Sequence, residues 1–225
     1  MKSCSLLLAL SLVVFVPGCR KSEVDDKPAA EVTETTATGA TSDTVSTSTA
    51  PTPGAVAANV IKEKSKIEWV AGKVTRDHNG SFKTFDGWIE YLSARPHRIA
   101  FEIDLNSVEA DDPKLTAHLK SPDFFDVARY PKATFVSTSL SDAPAGSPAG
   151  VTHELKGVLD LHGVKKEVTI PVVTSVTPDG VRTTSEFTIN RHDWGISYKG
   201  AADDLIRDNV LMKLDLSFPP PPATT

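Results

Sequence analysis

Four histidines, His78, His118, His162 and His192, are the side chains best suited to bind a metal or move a proton near neutral pH. They sit beside turn-forming residues, and no two have the three- or four-residue spacing that puts a metalloprotease pair on one helical face. A histidine next to glycine or aspartate, as in His162-Gly163 and His192-Asp193, reads as bonded to local backbone, so no metal ligand is assigned. Paired carboxylates occur at Asp111-Asp112 and Asp203-Asp204, in turn-like stretches where they suit solvated capping better than acid–base work. There is no G-x-S-x-G elbow, P-loop or dinucleotide fingerprint. No catalytic residue or cofactor is therefore assigned, and the protein is expected not to be an enzyme. His118 and Arg191 keep two readings: holding the polar head of an apolar ligand at a mouth, or tying a helix to the rest of the fold.

Cysteine chemistry is confined to the N-terminus, because Cys4 and Cys19 are the only cysteines in 225 residues. The folded part can hold neither a disulfide nor a thiolate metal site. Lys2 precedes an apolar run over 6–16, too short to span a bilayer but matching a secretory signal. Val16-Pro17-Gly18-Cys19 resembles the lipobox of bacterial lipoproteins. That resemblance implies a signal peptide over 1–18, an acylated Cys19 anchoring the chain to a membrane, and a domain in the bacterial envelope on the periplasmic side. Residues 19–58 are rich in Thr, Ala, Ser and Pro with few large apolar side chains, so they are expected to form a disordered tether. As a flexible coil, about 40 residues reach roughly 35 Å, enough for the domain to leave the membrane surface.

The elements that must position any site are strands. Beyond residue 59 apolar residues alternate with polar ones, as in Ile99, Phe101, Ile103 and Leu105 against Arg98, Glu102 and Asp104. Eight such segments are predicted, over 65–74, 81–92, 97–108, 133–140, 151–161, 164–176, 181–190 and 209–218. His162-Gly163 and Pro178-Asp179-Gly180 mark tight reversals, and Asn79-Gly80 is the strongest short hairpin signal. Asp112 can cap one short helix opened by Pro113 and ended by Ser121-Pro122, which would lie over one mouth. The fold class is therefore all-β, an eight-stranded antiparallel barrel over 59–218 with one helix and a disordered Pro-rich tail over 219–225. A two-sheet sandwich has the same alternation.

The run His118-Leu119-Lys120-Ser121-Pro122-Asp123-Phe124-Phe125-Asp126, followed by Tyr130-Pro131 and Ala133-Thr134-Phe135, resembles the signature of the YceI family. Gly80-Ser81-Phe82, Leu161-His162-Gly163-Val164 and Asn190-Arg191 with Trp194-Gly195-Ile196 extend the resemblance. Lys64-Ser65 stands where the family often has a histidine-serine pair, and Trp194 where phenylalanine is common. The resemblance implies an extended lipocalin-like barrel, and that some relatives hold polyisoprenoid chains inside it.

Strand parity names the expected cavity wall: Trp69, Phe85, Phe101, Ile103, Phe135, Leu159, Ile170, Phe187 and Leu214. His118, Phe124, Phe125 and Arg191 are expected at the mouth. The same wall residues would also fill a solid core, giving a non-catalytic interaction module, and alternation does not separate the two. A hollow barrel would take an apolar lipid or isoprenoid ligand. The net charge of −5 is spread along the chain with no basic block, which argues against nucleic acid as a partner, while monomer and dimer both remain open. Changing Cys19→Ser is expected to move the protein from the membrane fraction to the soluble one; retention in the membrane would overturn the anchor.

Overall fold

The computed structural model describes residues 22–33, 51–73, 75–201 and 204–223. In chain order the strands are β1 (Glu31–Thr33), β2 (Val56–Asn59), β3 (Lys66–Lys73), β4 (Asp77–Phe82), β5 (Phe85–Leu92), β6 (Arg95–Asp104) and β7 (Val108–Ala110). Helix α1 (Pro113–Leu119) follows, then β8 (Lys132–Asp142), β9 (His153–Leu161), β10 (Val164–Thr177), β11 (Gly180–Asn190), β12 (Gly200–Ala201) and β13 (Asp204–Phe218). Eleven strands run side by side in the order β2-β5-β6-β8-β9-β10-β11-β13-β3-β4-β7, with β1 added to β10 and β12 to β13. Every strand pairing is antiparallel. The sheet curls into a half-barrel because each strand has one apolar face to bury. Its far sides meet at a corner where Lys83 N donates to the Ser107 carbonyl and Asp104 N to the Thr84 carbonyl.

The expectation of eight strands is corrected to eleven in the continuous path. Lys83-Thr84 breaks the segment over 81–92 into β4 and β5, and a 3-10 turn at Leu105–Ser107, capped by the Asp104 side chain, separates β6 from β7. Buried residues step by three at both breaks, from Phe82 to Phe85 and from Leu105 to Val108, which is how a corner interrupts a period of two. The Asn79-Gly80 hairpin is also corrected: both residues lie inside β4, opposite Val70 and Trp69. The reversal falls earlier, where Lys73 N donates to the Arg76 carbonyl at 2.7 Å. Two other turns lie where the sequence puts them. His162 and Gly163 have φ of 53° and 76°, the left-handed pair of a tight hairpin, and Pro178-Asp179 joins β10 to β11. Helix α1 begins as expected, with the Asp112 carboxylate accepting from Lys114 N and Leu115 N and Pro113 in the first turn.

Two parts of the expected tether lie among the described residues. Ser22 to Thr33 and residues 51–59 pack on the barrel rather than forming a free coil. Val24 fills an apolar patch with Val70 and Leu211 on the outer face of β3 and β13, and Glu23, Asp25 and Lys27 pair with Lys213, Arg207 and Glu186. Thr52 donates from its backbone N and hydroxyl to Glu90, and β2 pairs with β5. Composition shows that such a segment cannot build a core of its own; it does not show that it can complete one belonging to another part of the chain. The expected signal peptide over 1–18, the lipidation site Cys19 and residues 34–50 lie outside the described residues, as do 224–225 of the tail.

One half of the barrel is packed solid by side chains such as Ile67, Ile89, Ile99, Leu155, Leu216 and Phe218, all nearly or fully buried. Tyr91 closes this half, its hydroxyl donating to the Pro219 carbonyl, so the tail is held where it leaves the sheet. Burial pushes the Tyr91 pKa up to about 12, whereas an unfolded tyrosine ionises near 10. The folded chain therefore keeps this proton longer, and the stability it contributes is fully present below about pH 10 and lost as pH rises through about 12. The melting temperature should fall across that window, and Tyr91→Phe should flatten the fall. An equal fall in both proteins would assign it to other groups.

Candidate ligand-binding cavity

The other half of the barrel is hollow. A cavity of about 130 Å³, whose surface presents apolar atoms only, lies between the strands and α1. Eight of the nine expected wall residues line it: Trp69, Phe101, Ile103, Phe135, Leu159, Ile170, Phe187 and Leu214. Phe85 is buried opposite Ile103 but lies outside the lining. Parity tells which way a side chain points and not how far along the barrel it sits. The wall also includes Ala71, Ala133, Leu161, Ile189, Val210 and Met212, each on the same face of a strand as an expected residue. Extending each run by one inward position, and that of β13 by two, would have found them.

Aromatic packing shapes the wall. Phe101 and Phe135 stack with centroids 5.1 Å apart, and the Phe135 ring rests against Gly157, where a Cβ would come within 2.7 Å of it. Trp69 lies across Gly80, where a Cβ would stand 2.1 Å from the indole and 2.3 Å from the Glu109 carbonyl oxygen. This close approach is the reason for glycine at a position inside a strand. The Trp69 indole N–H is buried without a hydrogen-bond partner.

The mouth is capped by Leu119 of α1, by Phe124 and Phe125 from the turns after it, and by Ile196. The segment that carries the two adjacent phenylalanines is turned rather than extended. Phe125 meets Phe82 edge-on at 6.0 Å, and Phe124 meets His118 edge-on at 4.9 Å. Both also line the cavity. His118 itself is not part of the lining; its Nε2 pairs with Asp123 at 2.8 Å and its ring meets Tyr198 at 4.9 Å. Arg191 borders the cavity with its guanidinium turned to the protein, donating to the carbonyls of Ile196 at 2.8 Å and Arg207 at 3.1 Å. Burial pulls the Arg191 pKa below its ordinary value, and Asp208, 3.4 Å away, works against that. Both candidate head-group residues are thus already bonded within the fold, His118 to the turn after its own helix and Arg191 to the chain around Ile196, Arg207 and Asp208.

The remaining histidines do not converge. His78 pairs with Asp111 at 2.7 Å, His192 with Asp208 at 2.7 Å, and His162 Nδ1 lies 3.1 Å from the Trp194 carbonyl. Among the described residues no three His, Cys, Asp or Glu side chains are grouped to hold a metal.

The YceI-like domain model matches residues 59–218. This chain belongs to the YceI-like family. A UPF0312 protein of Pseudomonas putida F1 is 33% identical over 138 residues, 57% of this chain and 68% of the relative. Protein YceI of Salmonella arizonae is 36% identical over 93 residues, 40% of this chain and 46% of the relative. The crystal structure of Burkholderia cenocepacia BcnA matches with a TM-score of 0.61 and 25% identity, covering 70% of this chain and 98% of that one. A polyisoprenoid binding domain from Saccharophagus degradans, implicated in plant cell wall breakdown, matches with a TM-score of 0.58 and 18% identity, covering 73% and 98%. In this YceI-like barrel the Gly80 seat is a sharp test of the wall. Gly80→Ala should destabilise the protein by about 2 kcal/mol through overpacking, read by urea unfolding. A loss under about 0.5 kcal/mol, within the range of neutral surface changes, would show that the indole does not need the bare Cα.

Proposed function

We propose that this chain is a bacterial envelope lipoprotein whose barrel binds an apolar isoprenoid-type lipid for transport, storage or protection. The observation that carries the reading is the apolar cavity of about 130 Å³ inside a barrel whose other half is packed solid. Strands of one sheet fill one half completely, so the void in the other half is not a failure of packing throughout the fold. An apolar void of this kind stays dry, and a cavity of roughly 150 Å³ can hold benzene. The space therefore takes a ring or a short branched hydrocarbon as it stands, and each methylene buried there contributes about 0.8 kcal/mol. A longer prenyl chain must displace the cap or part of the wall. The shared fold with a domain described as polyisoprenoid binding supports the same ligand class. The lipobox-like run ending at Cys19 supports a membrane anchor with the barrel on the periplasmic side.

Gentle purification of the full chain from a bacterial host, native mass spectrometry and organic extraction should reveal a bound prenyl quinone or polyprenyl species. Ala133 lines the cavity and is 4% exposed, so Ala133→Leu fills the void from its wall. That variant should lose the bound lipid while its melting temperature holds or rises. A wild-type chain that purifies empty and takes up no added farnesol would overturn the reading.

A further inference from the structure

Every residue that lines the cavity belongs to the family domain, but the barrel around it is not closed by that domain alone. On one edge β10 pairs with β9 from Val164 to Val172. On the other it meets β11 only between 173–177 and 180–184. Beyond that point β10 and β11 are not paired with each other, and the seam lies beside Ile170, Phe187 and Ile189 of the cavity lining. Residues 28–33, which lie outside the matched 59–218, fill it. Glu31, Val32 and Thr33 pair antiparallel with Thr169, Val168 and Glu167 of β10. Against β11, Ala30 N donates to the Thr188 carbonyl and Thr188 N to the Pro28 carbonyl, both at 2.8 Å. Ala30 is buried and Val32 packs inward against the core, so this short strap is a piece of the barrel wall.

The strap is lightly held. Its ladder with β10 spans three residues, where β9 and β10 pair over nine. Its flanking ion pairs, Glu23–Lys213, Asp25–Arg207 and Lys27–Glu186, are partly exposed, a setting in which such pairs add little. Val24 is its apolar anchor. Segments held in this way open locally at less cost than the sheet that carries them.

We propose that residues 28–33 are a detachable stave, whose release opens a side entrance between β10 and β11 through which an apolar chain reaches the cavity. The inference rests on the lipid-binding reading for its cargo, but the opening itself does not. When the strap leaves, unpaired edges of β10 and β11 face each other beside the cavity wall. A resting barrel keeps that seam shut because bare edges and exposed apolar wall are unfavourable. A prenyl chain sliding along the seam covers the apolar part of what the strap uncovers.

Two measurements on the full-length protein test this. Native-state hydrogen exchange should show the Ala30 and Thr188 amides exchanging at least tenfold faster than the β9–β10 ladder. Exchange of all of them together, only on global unfolding, overturns the stave. The second measurement uses Glu31→Cys with Thr169→Cys, a facing pair outside the cavity, in a background of Cys4→Ser and Cys19→Ser. Oxidation should slow farnesol uptake, followed by tryptophan fluorescence, at least tenfold, and dithiothreitol should restore it. Ala30→Asp, which puts a carboxylate at a buried strap position, should speed uptake with the circular dichroism spectrum unchanged. Equal uptake by locked and reduced forms places the entrance elsewhere, at the α1 cap, and overturns the stave. If no form takes up farnesol, the lipid reading fails, and the exchange pattern still decides whether the strap opens.

Discussion

Everything in this fold follows from one constraint: a long antiparallel sheet with a single apolar face must curl until that face is hidden from water. Inward positions along β3, β6, β8, β9, β10, β11 and β13 meet across the interior, and the backbone bonds of each strand are met by its neighbours. Where the curl turns too sharply for continuous strands, short 3-10 turns and the Lys83-Thr84 corner take up the bend. Where two strands part, a piece of chain from outside the domain fills the gap.

The two halves of the interior solve the same problem differently. Around the packed half, buried polar groups are bonded: Arg98 Nε donates to the Ser137 carbonyl at 2.9 Å and its guanidinium meets Glu90 at 3.5 Å. Ser137 Oγ accepts from Ile99 N at 2.7 Å, and Glu90 in turn holds Thr52. Such a satisfied network is costly to disturb. The hollow half presents an apolar surface shaped by the stacked rings of Phe101 and Phe135 and by the Trp69 indole.

What was legible in the sequence was direction. Alternation identifies the inward face of nearly every strand, and it brings Phe101, Phe135, Phe187 and Leu214 to one cavity from four separate strands. Depth along the barrel was not legible, which is why Phe85 falls outside the lining while Met212 and Val210 fall within it. The corners leave a readable trace in the three-residue step from Phe82 to Phe85, but only once it is known that both face inward. Asn79-Gly80 misleads because glycine serves two purposes, and here the close approach of Trp69 outweighs turn chemistry. The strap was illegible for a different reason. Its order depends on Val70, Leu211, Val168 and Thr188, all distant in sequence, and nothing in its own composition reports them.

A void also has a mechanical meaning. Spread over a mole of molecules, 130 Å³ is about 80 mL, within the span of volume changes that drive proteins to unfold under hydrostatic pressure. The empty barrel carries that volume as a debt to compression, since unfolding floods the space with water, and a barrel filled with hydrocarbon carries less of it. Compressing the protein therefore distinguishes occupied from vacant molecules without naming the occupant, because the cargo acts as an internal strut.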